Sequence, residues 1–315
     1  MLAVVVEDRT LALVERPTPE PGPYDVVVAV RAAGVNAADL LQRQGLYPAP
    51  AGWPADVPGL EAAGVVSAVG NRVNEPLLGR RVCVVVGGGA QATHCVAPAE
   101  HLLFLPDHVD WPQAGGFAEA FTTAHDALAT QARVRDGDRV LISGASGGVG
   151  VAAVQVAHVL GAHVTAVTRT SEHHGALRDL GADETVTLDQ VSGLARVDVV
   201  LELVGAAHLS LAQHLLAPFA RVVVIGVAAG SRVDLDLRLV MLSRATVTGS
   251  TLRSRSREEK AAVADLINQA LVPRWTTGEL RVPIARTFDL ADADAAYEYF
   301  ARLGKLGKVV LCVED

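Results

Sequence analysis

The stretch Arg139-Val-Leu-Ile-Ser-Gly-Ala-Ser-Gly-Gly-Val-Gly150 constrains this chain more than any other. A short apolar run, Val140 to Ile142, stops at a cluster of glycines, and an Ala- and Val-rich run with helical character follows as far as Gly161. Glycine lets the backbone turn tightly out of a strand and come close to a pyrophosphate, which rests on the unpaired N–H groups of a helix start. Gly144, Gly147 and Gly150 are spaced GxxGxxG, and Gly148, Gly150 and Ala153 are spaced GxGxxA. Neither spacing is the familiar GxGxxG. Position supplies the specificity: after a strand and before a long apolar helix, the stretch reads as the opening of a dinucleotide-binding βαβ unit, with Val149 in the cradle.

Composition removes several other classes. The chain has 315 residues, 50% of them hydrophobic, with a net charge of −8. Only three lysines occur (Lys260, Lys305, Lys308), so neither nucleic acid nor an anionic membrane is expected as a partner. The apolar start Met1 to Val6 has no basic leader and is too short for a signal peptide, and no run is long enough to span a membrane. Three scattered cysteines, Cys83, Cys95 and Cys312, suit a reducing cytoplasm and no disulfide framework.

Taken in order, the first third is β. Short Val-rich runs at Leu2–Val6, Leu11–Val14, Asp25–Arg31, Ala63–Val69 and Arg81–Val86 are separated by Pro and Gly, with a short helix at Asn36–Gln44. That spacing predicts a compact β-barrel-like domain. A helix is expected over Pro112–Thr130. Strands and helices alternate from Arg139, with strands at Val140–Ile142, Val164–Val167, Val197–Leu203, Arg221–Ile225 and Thr246–Gly249. Alternation of this kind predicts parallel βαβ units. A long amphipathic helix begins near Ser256, and the tail from Arg281 returns to β character around a helix at Asp292–Leu303. The expected fold class is therefore α/β. A discontinuous barrel domain (1–120 and 266–315) surrounds a Rossmann doubly wound parallel sheet (121–265), and there are no internal repeats.

The second βα junction bears on the cofactor. A carboxylate about 20 residues after the glycines accepts hydrogen bonds from the ribose hydroxyls of NAD. Here the strand ends Ala166-Val-Thr-Arg-Thr-Ser171, with Arg169 among the hydroxyls of Thr168, Thr170 and Ser171. A guanidinium with hydroxyl donors suits a 2′-phosphate, so NADPH is the expected cofactor.

The chain resembles the medium-chain dehydrogenase/reductase superfamily over essentially its whole length. Within it, the chain is most similar to the zinc-independent quinone oxidoreductases, in the branch holding the tumour-suppressor-inducible enzyme. The residues carrying the likeness are Gly34-Val-Asn-Ala-Ala-Asp-Leu-Leu-Gln-Arg-Gln-Gly-Leu-Tyr47, Gly59-Leu-Glu-Ala-Ala-Gly64, Gly87-Gly-Gly-Ala-Gln-Ala92, Ser250-Thr-Leu-Arg-Ser-Arg255 and Leu306-Gly-Lys-Val-Val-Leu311. The resemblance implies a GroES-like catalytic domain and a cofactor cleft between the domains. It sets Asn36, Tyr47 and Thr123 near the nicotinamide, Gly226 with Thr251 and Leu252 along its wall, and Lys308 closing over the cofactor. It also implies a homodimer, for which Thr246–Ser250 is the candidate edge strand. Departures from the family pattern are Gly147-Gly-Val-Gly150 in place of Ser-Gly-Val-Gly, Glu172 or His173 in place of a lysine, and Leu188 in place of a tyrosine.

Zinc-dependent relatives place a cysteine where Asn36 stands and a histidine where Leu60 stands; only Glu61 of that set is kept. Zinc needs about four converging N, S or O ligands, so no metal is expected, and Glu61 is left to hydrogen-bond buried backbone or the acceptor-side loop. Without a metal to polarise a carbonyl, alcohol chemistry is disfavoured, whereas an electron-poor quinone needs mainly to be held against the nicotinamide. Tyr47 and Asn36 are candidates to hydrogen-bond its oxygens, and Trp53 to cover the site as a lid. The leading expectation is a cytoplasmic NADPH:quinone oxidoreductase acting on a small quinone-like acceptor. An enone reductase on the same fold, with Tyr47 as proton donor, and a non-catalytic NADPH-binding protein are the alternatives.

Overall fold

The computed structural model describes residues 1–313. The chain forms two compact units: Met1–Thr122 with the segment from Leu252 onward, and Thr123–Thr251. The second boundary lies at 251/252, not at the expected 265/266. The helix Arg257–Ala270 packs on residues 99–104 and so belongs to the first unit.

The first unit begins with a hairpin of β1 (Leu2–Glu7) and β2 (Thr10–Glu15). Then come β3 (Asp25–Val35), β4 (Glu61–Val69), β5 (Arg81–Val85), β6 (His94–Pro98) and β7 (Leu102–Phe104). Here β3 is longer than its Val-rich run suggests, because Ala32, Ala33 and Gly34 continue into pairing with the C-terminal tail. Alternate residues of β3 to β5, with Val26, Val28, Val66, Val82 and Val84 among them, build one core.

The expected long helix over 112–130 is three pieces. Trp111–Gly115 ends at Gly116, a second helix runs Ala118–His125, and a π-helical turn covers Asp126–Gln131. Gly115 approaches Ala32 so closely that an added Cβ would lie 2.6 Å from the alanine methyl. Phe117 stacks between Phe121 and Trp275, with centroids 4.4 and 3.9 Å away, which anchors the segment after the break.

The second unit carries β8 (Arg139–Ile142), β9 (His163–Thr168), β10 (Glu184–Thr187), β11 (Val197–Glu202), β12 (Leu216–Val224) and β13 (Thr246–Gly249). All pair in parallel in the order β10-β9-β8-β11-β12-β13. This is the doubly wound arrangement, and its order reverses between β8 and β11. The chain then returns to the first unit with β14 (Ile284–Asp289), the helix Ala293–Ala301 and β15 (Lys308–Cys312). The tail extends the first unit's sheet, with β15 antiparallel to β3 and β14 outermost.

Candidate functional site

In the second unit, ligands of a doubly wound sheet bind outside the carboxyl ends of the strands where the order reverses. Those ends belong to β8 and β11, and the glycine ladder follows directly on β8. Gly144 takes φ +61, a left-handed conformation. A Cβ on Gly150 would overlap the Gly144 carbonyl oxygen and lie 2.6 Å from the Ala145 carbonyl carbon. Gly147 is the N-cap of the helix Gly148–Val159, whose first amides, those of Gly148, Val149 and Gly150, have no partner within the helix. Such a cradle fits a dinucleotide pyrophosphate.

What braces this cradle has no mark in the sequence pattern. The hydroxyl of Ser143 donates to Glu202 Oε1 at 2.7 Å and accepts from the Leu203 amide at 2.8 Å. The same carboxylate oxygen accepts from the amides of Val204 (2.8 Å) and Gly205 (2.7 Å). One fully buried side chain thus ties the ends of the two central strands together. Gly226, after β12, sits against the Leu203 carbonyl, where a side chain would not fit. Thr123 is buried in the helix Ala118–His125, and Thr251 is exposed at the end of the unit.

At the end of β9, Arg169 and Ser171 are exposed, and Arg169 has no hydrogen-bond or ion-pair partner among the described residues. Thr168 behaves differently. It is buried, and its hydroxyl is engaged with Thr170 O at 2.8 Å and His174 Nε2 at 2.9 Å. Thr168 therefore shapes the turn, and the guanidinium beside it is the free group.

In the first unit, Asn36, Glu61 and Lys308 come together. Lys308 Nζ lies 2.6 Å from both Glu61 Oε1 and Asn36 Oδ1. The Asn36 amide donates to the same Glu61 oxygen at 3.0 Å and, at 3.4 Å, to Gly34 O. Glu61 Oε2 accepts from the Glu119 amide at 2.8 Å, which is the expected contact with buried backbone. Lys308 is 3% exposed and Glu61 wholly buried. The family resemblance has Lys308 closing over a cofactor and Asn36 near the nicotinamide, where Asn36 is a candidate to bond an acceptor. In this structure both side chains hydrogen-bond Glu61, because a buried carboxylate must be neutralised and hydrogen-bonded. Asp39, buried beside them, accepts from the amides of Asn36 and Gly59. Burial pushes its carboxyl up to about 7 against the pull of those amides and of Lys308.

Tyr47 belongs to a second cluster. Its ring lies under the Arg253 guanidinium, 4.6 Å from the centroid, and its hydroxyl bonds no described residue. Burial raises its phenol above the ordinary value, while the Arg253 charge works the other way. The Trp53 ring fills the space beside Gly87 and packs, partly buried, on the core. Leu252 is buried in the wall of a small pocket with Thr122, His101 and Lys260.

Two family descriptions match: "Alcohol dehydrogenase GroES-like domain" over residues 22–133 and "Zinc-binding dehydrogenase" over residues 148–269. The chain is 33% identical over 305 residues to a quinone oxidoreductase of Pseudomonas aeruginosa, covering 93% of this chain and 92% of that one. The chain belongs to the medium-chain dehydrogenase/reductase superfamily. It is an oxidoreductase of that superfamily, with a GroES-like first unit and a nucleotide-binding second unit. The quinone oxidoreductase of Lama guanicoe is 31% identical over 309 residues, with 94% of this chain and 91% of that one covered. Among solved structures, the quinone oxidoreductase of Thermus thermophilus, also solved in complex with NADPH, superposes with a TM-score of 0.86 at 33% identity. It covers 99% of this chain and 100% of that one. Among the described residues, no three His, Cys, Asp or Glu side chains converge as metal ligands, and no helix is long and apolar enough to cross a membrane.

Proposed function

We propose that this chain transfers a hydride from NADPH to quinone-like acceptors, and does so without zinc. The observation that carries the reading is the 2.6 Å pair of Lys308 and Glu61. The one acidic residue kept from the zinc ligand set is already neutralised by an ammonium, and its neighbours Asn36 and Leu60 offer no thiolate or imidazole. A site without a Lewis acid suits acceptors that are already electron-poor. The names of the relatives, and the NADPH complex of one of them, support the same acceptor class and cofactor.

When bound, the cofactor supplies the hydride. The glycine ladder holds its pyrophosphate, and Arg169 with Ser171 receives the 2′-phosphate. Tyr47, whose hydroxyl has no partner among the described residues, gives the acceptor oxygen its proton. That same hydroxyl favours the second reading, reduction of an enone by protonation at its α-carbon. The test follows NADPH loss against ortho- and para-quinones, enones and aldehydes. Quinone turnover is expected, and turnover with enones alone would overturn the proposal.

Arg169→Ala is expected to raise the KM for NADPH by about tenfold or more and to leave that for NADH nearly unchanged, since a guanidinium–phosphate contact is worth about 1.5–3 kcal/mol. Equal effects on both cofactors would remove the phosphate assignment.

We also infer a homodimer through β13, one of the two edge strands of the parallel sheet. Val247 on that strand is 41% exposed, and Leu237, Met241 and Leu242 on the preceding helix are more so. An apolar edge of this kind invites pairing. Light scattering should give twice the 32.8 kDa chain mass, and Val247→Asp should give the single chain. A wild-type monomer contradicts the dimer. The free cysteines, two of them buried, suit a reducing cytoplasm.

A further inference from the structure

Arg253 is 8% exposed, and among the described residues its guanidinium donates only to neutral oxygens. Nη2 donates to Gln42 Oε1 at 2.6 Å and to Gly87 O at 2.7 Å, Nε to Gly87 O at 3.0 Å, and Nη1 to Tyr47 O at 2.9 Å. Every one of these partners lies in the first unit, as Arg253 does. A buried cation normally meets a carboxylate, because the interior does not solvate it. Among the described residues no carboxylate bonds it, and the face of the Tyr47 ring takes that place.

The fork has a mechanical effect. It joins the helix Ala37–Arg43 (through Gln42), the loop at Tyr47 and the turn at Gly87, which fixes the Tyr47 ring in one position. It also has an electrostatic effect. A fixed positive charge over a half-buried ring favours negative charge on the phenol oxygen. Glu119 opposes that effect at Tyr47, and Asp39 and Glu119 are the acids whose fields reach Arg253. Lys260 adds a second cation nearby, donating to Arg253 O at 2.9 Å.

We infer that Arg253 is the positioning residue for Tyr47, holding its ring in place and lowering the cost of releasing the phenol proton. The inference rests on the reading of Tyr47 as the proton donor to the acceptor. In that step the Tyr47 Oη–H bond breaks and an O–H bond forms on the acceptor as it takes the hydride. The electron pair stays on Tyr47 Oη beneath the Arg253 charge, and a proton from water later restores the phenol.

The test is a carbon NMR titration of ring-labelled tyrosine in the full chain, without cofactor or acceptor. The chain has four tyrosines, and Tyr47→Phe assigns the signal. Arg253→Met should leave about ten- to a hundredfold less tyrosinate at Tyr47 at a given alkaline pH, the effect expected for removing an opposite charge at this range. It should lower kcat with quinone while leaving the KM for NADPH in place, and Arg253→Lys should keep more of the acidity than Arg253→Met. Arg253→Gln, which keeps a donor for Gly87 O, gives the same reading if Arg253→Met does not fold. An unchanged Tyr47 titration in the neutral variants overturns the inference. An unchanged kcat in Tyr47→Phe overturns the proton-donor reading itself, and the titration distinguishes the two because it contains no reacting partner.

Discussion

Lys308→Met should be among the most destabilising single substitutions in the chain, costing about 3–5 kcal/mol in a denaturant titration. The ammonium is removed from a site where Glu61 is completely buried and Asp39 lies alongside. With Lys308 gone, the Glu61 carboxylate keeps the Asn36 and Glu119 amides but loses its only ion-pair partner among the described residues. The cost is that of an uncompensated buried charge, so removing both charges should hurt less than removing one. Lys308→Met combined with Glu61→Leu is expected to recover much of the loss, because apolar replacement of a whole buried pair is often nearly neutral. A loss below about 1 kcal/mol for the single variant, the size of a surface pair, would mean that Lys308 does not neutralise Glu61 in solution.

Gly150→Val should weaken cofactor binding by about ten- to a hundredfold, read by titration calorimetry with NADPH. The figure follows from the about 1–3 kcal/mol of forcing extra atoms into filled space. What the new Cβ meets is backbone, the Gly144 carbonyl and Ala145, so no flexible side chain can move aside. The helix Gly148–Val159 must shift away from the turn, and its free amides move with it. Gly193→Ala is the control. Nothing lies within 4 Å of that added Cβ, and binding should not change. Wild-type affinity in Gly150→Val would show that the ladder does not hold the pyrophosphate.

Much of the fold is legible in the sequence, and unevenly so. The second unit announces itself because buried parallel strands read as apolar runs such as Arg221-Val-Val-Val-Ile225, and because glycine spacing at a strand–helix junction has few other uses. Strand β10, Glu-Thr-Val-Thr, is not among the expected strands: at the sheet's outer edge, with one buried valine, it lacks the apolar run of the central strands. The break in the 112–130 segment is hidden for another reason. Gly115 is there to let a helix approach Ala32, a contact that spacing along the chain does not encode.

Within the candidate site, residue types are readable but orientations are not. Asn36 and Lys308 have the right chemistry to face a ligand, but that both hydrogen-bond Glu61 is not legible from their types. Arg253 sits in plain view in Ser250-Thr-Leu-Arg-Ser-Arg255, yet nothing local marks it as the partner of Tyr47, 206 positions earlier in the chain. Ser143 and Glu202 lie 59 residues apart and meet only because β8 and β11 are neighbours in the sheet. Long-range polar contacts of this kind arise from topology, which is why a sequence supplies the candidates but not the pairings.

The most direct measurement is NADPH oxidation by the full chain with an ortho-quinone, before and after exhaustive removal of divalent metal by chelation. With Lys308 neutralising Glu61 and no thiolate or imidazole at Asn36 and Leu60, the stripped protein should turn over at its original rate and gain nothing from added zinc. Loss of turnover on chelation with recovery on zinc, or oxidation of simple alcohols by the zinc-loaded protein, would contradict it.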